Sequence, residues 1–89
     1  MRASAIPYRT EIERSLSSGE SVVIDFAGND VTQSFVDELI GALILKEGRQ
    51  VVSRLAFENC TNDVKGIIKF VVHDRVRQLQ KNARVTDPH

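Results

Sequence analysis

Cys60 and His73 carry the most reactive side chains in the sequence, because a thiol beside an imidazole makes an activated nucleophile if the two meet in space. His73 follows no second histidine at three- or four-residue spacing, so a helical metal pair is not expected. A small partly buried thiol and a solvated or helix-terminal histidine are the simpler reading of both. Gly19 and Gly28 stand alone, without a P-loop or a dinucleotide fingerprint, and a nucleotide therefore lacks its backbone cradle. Asp37-Glu38 places adjacent carboxylates on one helix, about 100° apart around its axis. That angle does not focus both on one substrate atom. It suits the positive end of a helix dipole or contact with a partner. The expectation is a protein that is not an enzyme and uses no cofactor or metal.

The richer stretch is Asp25-Phe26-Ala27-Gly28-Asn29-Asp30-Val31-Thr32-Gln33-Ser34-Phe35-Val36-Asp37-Glu38-Leu39. It sets hydroxyls where a buried strand hands over to a helix, and there free amides and the dipole favour a negative group. A phosphoryl group on Ser34 or Thr32 would add nearly two charges beside Asp30, Asp37 and Glu38, repelling an acidic partner or recruiting a basic one. Plain capping by Thr32, with Ser34 on the surface, is the alternative. Ser34 and Thr32 are the phosphoacceptor candidates. Asp30, Gln33, Asp37 and Glu38 are the candidates for partner contact.

The elements that position these residues follow from apolar spacing. Pro7 opens a short amphipathic helix with Ile12 and Leu16 four apart, ending at Ser17, Ser18 and Gly19. Ser21 to Phe26 is an almost unbroken β-branched run, predicting a strand covered on both faces. After the turn at Ala27–Asp30, Thr32 or Asp30 caps a helix. Phe35, Leu39, Ala42 and Leu43 form one stripe on it, with Val36, Ile40 and Ile44 beside it. So wide an apolar face predicts packing on the sheet and on another helix or a second chain. Glu47-Gly48-Arg49 ends that helix. Val51 to Phe57 reads as the second strand, with Arg54 marking an edge or a strand end. A long helix then starts at Thr61, Asn62 or Asp63 and carries Val64, Ile67, Ile68, Val71, Val72, Val76 and Leu79 inward. Arg75, Arg77, Lys81 and Arg84 suit the negative end of its dipole. Two strands make a marginal sheet, so either Arg2 to Ile6 supplies a third, or an edge pairs with another copy or another protein.

Composition sets the outer limits. The 89 residues, 42% hydrophobic and 27% charged, fit one small domain. Twelve basic residues balance twelve acidic ones, giving no net field to draw the chain onto nucleic acid or an anionic membrane. Cys60 is the only cysteine, so no internal disulfide forms and a reducing, cytoplasmic setting is expected. Met1 to Ile6 lacks the apolar stretch of a secretory signal, and no run is long enough to span a membrane.

Several of these residues resemble one family. Asp25-Phe26 at a strand end, Gly28 in the turn and Phe35-Val36-Asp37-Glu38-Leu39 on the next helix look like the signature of the STAS-like domain of unknown function. That bacterial family is related to the STAS domains of anti-sigma factor antagonists. Tyr8-Arg9 with Glu11 resembles its arginine-bearing first helix. Phe57-Glu58-Asn59 with Val64 and Ile67-Ile68 resembles its second strand and last helix. The likeness runs from about Arg9 to Val72. It implies an α/β layer fold and a regulatory, non-catalytic role beside histidine-kinase-like ATPases. Antagonists of that kind are phosphorylated on a serine within an aspartate-serine-serine/threonine-glycine motif at the start of the helix after the central strand. Here Gln33-Ser34-Phe35-Val36 stands in its place, leaving Ser34 or Thr32 as the nearest hydroxyl.

The expected architecture is therefore a small α/β STAS-like layer of few, mainly parallel strands packed by helices. Its order is helix, strand, helix, strand, helix, with the option of an N-terminal strand. One domain is expected over residues 1–84, followed by a flexible tail over 85–89. The expected function is protein interaction with a kinase-like ATPase or another regulatory partner; the alternative is an assembly subunit acting as a stable homodimer.

Overall fold

Pro7 directs the start of the chain, because its ring fixes φ near the helical value and its missing N–H is not needed in a first turn. The computed structural model describes residues 2–86, with side chains described over 4–81. Arg2–Ala5 is a 3₁₀ turn that runs directly into α1 (Ile6–Ser17). The N-terminal segment is thus helical, and the third strand offered for Arg2 to Ile6 does not form. Ala5 is fully buried, which gives the 3₁₀ turn a packing reason of its own. Ile12 and Leu16 are the buried stripe of α1. Gly19 closes the turn beyond it in the left-handed region that glycine adopts at little cost.

Strands β1 (Val22–Asp25) and β2 (Leu55–Glu58) pair in parallel, with Val22 opposite Leu55 and Asp25 opposite Glu58. Burial alternates along both. Val22, Ile24, Leu55 and Phe57 pack against the core, while Val23, Asp25, Ala56 and Glu58 face out. The expectation of a strand sealed on both faces is therefore corrected, since Val23 is 57% exposed. Among the described residues the helices cover one face of the sheet only, so the β-branched run has no second layer to meet.

The helix between the strands is the centre of the fold. We call it α2, spanning 33–47; it is α-helical over Gln33–Val36 and Ala42–Glu47, with a π-helical turn over Asp37–Gly41 between them. Thr32 caps it, its hydroxyl accepting from the Phe35 amide at 3.1 Å. Val36, Leu39, Ile40, Leu43 and Ile44 are at most 2% exposed, as the two apolar stripes predict. The wide face is used by α1 on one side and by the last helix, α3 (Asn62–Thr86), on the other. Gly48, at φ +94°, ends α2.

Val51 to Phe57 is only half strand. Arg49–Arg54 winds into a 3₁₀ segment, and extended structure begins at Leu55. The Val51 amide bonds back to the Gly48 carbonyl, Ser53 bonds to the Gln50 carbonyl, and Val51 drops into the core. Arg54 donates to the carbonyls of Leu16 (2.9 Å) and Glu20 (2.7 Å), so the cation satisfies the end of α1 and fixes where β2 starts. Thr61 is the cap of α3: its hydroxyl accepts from the Val64 amide at 3.2 Å. α3 continues to Thr86, and residues 87–89 of the tail expected over 85–89 lie outside the described residues. No described helix is long and apolar enough to cross a membrane.

Ile40 lies at the middle of this packing with no exposed surface. Ile40→Ala is expected to lower unfolding free energy by about 2–5 kcal/mol, through lost apolar contact and the cavity left behind. Urea denaturation followed by circular dichroism checks this.

Candidate functional site

Parallel sheets offer ligands and partners the crevice beyond the carboxyl ends of their strands, and here that end is built from loops 26–32 and 59–61. Asp25 closes β1. Its Oδ1 accepts from the Ala27 amide at 2.7 Å and from the Asn59 side-chain amide at 2.9 Å. The Gly28 amide donates to the Asn59 carbonyl at 2.7 Å, tying the two loops together a second time. A third tie joins Thr61, whose hydroxyl donates to Asp30 at 2.6 Å while accepting from Val64. Ala27 and Asn59 both sit at positive φ, 55° and 54°. For a residue with a Cβ that conformation costs about 1–2 kcal/mol, which these ties offset. Ala27, Gly28, Asn59, Cys60 and Thr61 surround a shallow depression between the loops.

The candidate residues separate into two groups. Asp30, Thr32, Gln33 and Ser34 are exposed. Thr32 spends its oxygen as an acceptor on the helix cap, and Asp30 is engaged by Thr61. Ser34 stands in the first turn of α2, where its carbonyl accepts from the Asp37 amide, and its hydroxyl has no hydrogen-bond partner among the described residues. Asp37 and Glu38 keep only 14% and 17% of their side-chain exposure. Neither faces open solvent.

Each of these two carboxylates meets its own arginine. Arg75 of α3 forks onto Asp37, Nε to Oδ1 at 2.7 Å and Nη2 to Oδ2. Arg9 of α1 reaches Glu38, donating to its carboxylate and, at 3.1 Å, to its backbone carbonyl. The hydrogen bonds that Arg75 donates to Asp37 and the nearby negative charges raise the Arg75 pKa further above its ordinary value, so the cation is permanent. Gly41 makes room for this pair: a methyl group there would run into the Asp37 carboxylate and crowd Arg75 Nε at 3.1 Å. The wider π-helical turn holds both acids and that glycine. Arg9 and Arg75 are the functional partners that local reading missed, since each is a surface-type residue far from the acids in sequence.

Cys60 and His73 do not form a pair. Cys60 precedes α3, with its thiol 3.7 Å from the Glu58 carbonyl, whereas His73 is three turns along the helix, about 16 Å up its axis. No group of three histidine, cysteine, aspartate or glutamate side chains that could hold a metal occurs among the described residues.

With this geometry in view, comparison with protein families is decisive: the model of the STAS-like domain of unknown function matches residues 4–65. The chain belongs to that family. The match begins and ends earlier than the Arg9–Val72 stretch inferred from individual residues, and takes in the last two residues of the 3₁₀ turn, α1, both strands, α2 and the first turn of α3. No curated protein and no solved structure matches the chain significantly. The STAS-like match includes the Phe-x-Asp-Glu-Leu helix, whose acids are the two ion-paired ones. It also includes Arg9, but it stops short of Arg75.

Two outcomes are expected from this site. A double-mutant cycle with Asp37→Ala and Arg75→Ala, followed by urea denaturation, should give a coupling of about 0.5–3 kcal/mol, and removing one partner should cost more than half the double change. Asp25 should titrate below the ordinary carboxylate value of 3.8, held down first by Asn59 and then by the Ala27 amide. With the folded pKa depressed, its contribution is complete above the unfolded value and fades as pH falls through the folded one. Carboxyl NMR titration should show this, and Asn59→Ala should return Asp25 toward normal.

Proposed function

We propose that this STAS-like domain is a non-catalytic regulatory module that binds a protein partner, such as a histidine-kinase-like ATPase, over the loop and helix start at residues 30–34. The single observation that carries the reading is the contrast between two hydroxyls on one turn. Thr32 is engaged as the cap acceptor, and Ser34 is exposed without a partner among the described residues. A phosphoryl group on Ser34 lies in the opening turn of a helix, where free amides and the dipole welcome negative charge. It also stands one turn from Asp37 and Glu38, whose charges are already matched by Arg75 and Arg9.

Asp30 and Gln33 flank Ser34 and supply direct contact. Asp37 and Glu38 act as positioning residues, because they hold α2 at a fixed rotation against its two neighbouring helices. The family relation supports a regulatory role. The ties between Asp25, Asn59, Asp30 and Thr61 support it too, since they present the loop in one preformed shape.

The test is binding to, and phosphorylation by, a kinase-like ATPase encoded beside this chain. Incubation with ATP should add one phosphate, located at Ser34 by mass spectrometry and absent from Ser34→Ala. Ser34→Asp and Gln33→Ala should each change partner affinity at least tenfold by calorimetry. Unchanged affinity in both variants removes this surface from consideration.

A further inference from the structure

The sheet leaves β1 with one neighbour. A parallel ladder uses alternate residues of each strand, and the bond from the Phe26 amide to the Glu58 carbonyl, 3.0 Å, sets its phase. Val22, Ile24 and Phe26 turn their peptide groups toward β2, so Val23 and Asp25 turn theirs to the opposite edge. No described residue bonds to the backbone N–H or carbonyl of either. Such an edge is a template for another strand unless it is guarded by charge, proline or cover, and here the one charge, Asp25, stands at the strand end. Ser21 to Phe26 contains neither lysine nor proline.

Beside this edge runs an open groove of about 550 Å³ between β1 and α1. Tyr8, Ile12, Phe35 and Leu39 give it apolar walls, and Tyr8 leans on Phe35 with ring centroids 6.3 Å apart. Its only charged lining side chains are Glu11 and Asp25, both acidic. Four strand residues span about 13 Å, enough to seat one extended segment of similar length.

We propose that the free edge of β1 accepts a third strand from a partner protein. That strand is an extended segment with apolar side chains at alternate positions toward the groove and lysine or arginine at its ends. Main-chain bonds to Val23 and Asp25 supply pairing, the apolar wall supplies burial, and Glu11 and Asp25 select basic flanks. A second copy is a poorer occupant, because its own β1 would bring Asp25 and no base to an acid-lined groove. The inference rests on the reading of the domain as an interaction module, but not on Ser34 or its phosphorylation.

The probe is a fluorescein-labelled heptapeptide of alternating valine and threonine with lysine at both ends, titrated into the full chain by fluorescence anisotropy. Saturable binding is expected, with the Val23 and Asp25 amides newly protected from hydrogen exchange by NMR. Glutamate ends, or N-methylation of the edge-facing peptide amides, should weaken binding at least tenfold. So should Val23→Pro, which removes a donor, and Val23→Lys, which keeps the backbone intact and repels the basic ends. The proposal is overturned by absent saturation at millimolar peptide or by equal binding of the N-methylated peptide. Protection confined to Leu55 and Phe57 on the far edge of β2, or a peptide-free dimer that protects Val23 and Asp25, overturns it as well. Partner binding through Gln33 and Ser34 that persists without any of these peptide effects overturns this inference alone.

Discussion

Two adjacent acids on one widened helical turn, each drawn to a different arginine, fix how the rest of the molecule is arranged. The apolar face of α2 is broad enough to be satisfied by several rotations about its own axis. Arg9 to Glu38 and Arg75 to Asp37 select one of them. The pairs lie on opposite flanks, so α1 and α3 are set against α2 by charge as well as by the packing of Leu39, Ile40 and Leu43. Because the acids are mostly withdrawn from water, each arginine is a closely held partner, and removing one is expected to cost more than breaking a surface pair. Leu39 and Ile40 are carried on the same widened turn, so the rotation that satisfies the acids is also the one that fills the core.

The loops beyond the strands follow a different logic. Their backbone at Ala27 and Asn59 is strained, and short polar side chains hold it: Asp25 to Asn59, and Asp30 to Thr61. Rigid presentation of a small surface is what a module that works by binding needs, because little ordering remains to be done on association. A fold shared with a family supplies the scaffold, and under the proposed binding role the particular polar groups on these loops would supply the specificity.

Most of the architecture was legible from spacing alone. The stripes at Val36, Ile40 and Ile44 and at Leu39 and Leu43, a cap at Thr32 or Asp30 and the stop at Gly48 are local patterns, and the structure takes Thr32 as the cap. Val51 and Val52 misled because β-branched residues favour strands, whereas a bond from Val51 back to Gly48 and the reach of Arg54 to the end of α1 wind that segment instead. Val23 misled in the other direction: an unbroken apolar run suggested cover on both faces, but the second layer it implied is not supplied by the described helices. The site was readable as far as its hydroxyls and acids. Its arginines were not, because no periodicity links Arg9 to Glu38 or Arg75 to Asp37 across some thirty to forty positions. The π-helical turn has no sequence signature of its own, and Gly41 was its only trace.

The reach of Arg75 has a consequence for where this domain ends. The stretch recognisable by kinship closes at residue 65, yet the guanidinium that neutralises one of its acids is supplied ten positions further on. Ancestry and cooperativity therefore draw different borders on the same chain. A truncation placed at the first border would keep every hallmark of the lineage while removing the Arg75 fork from Asp37 together with the buried Ile68 and Val71, so both the ion pair and the core reach past it.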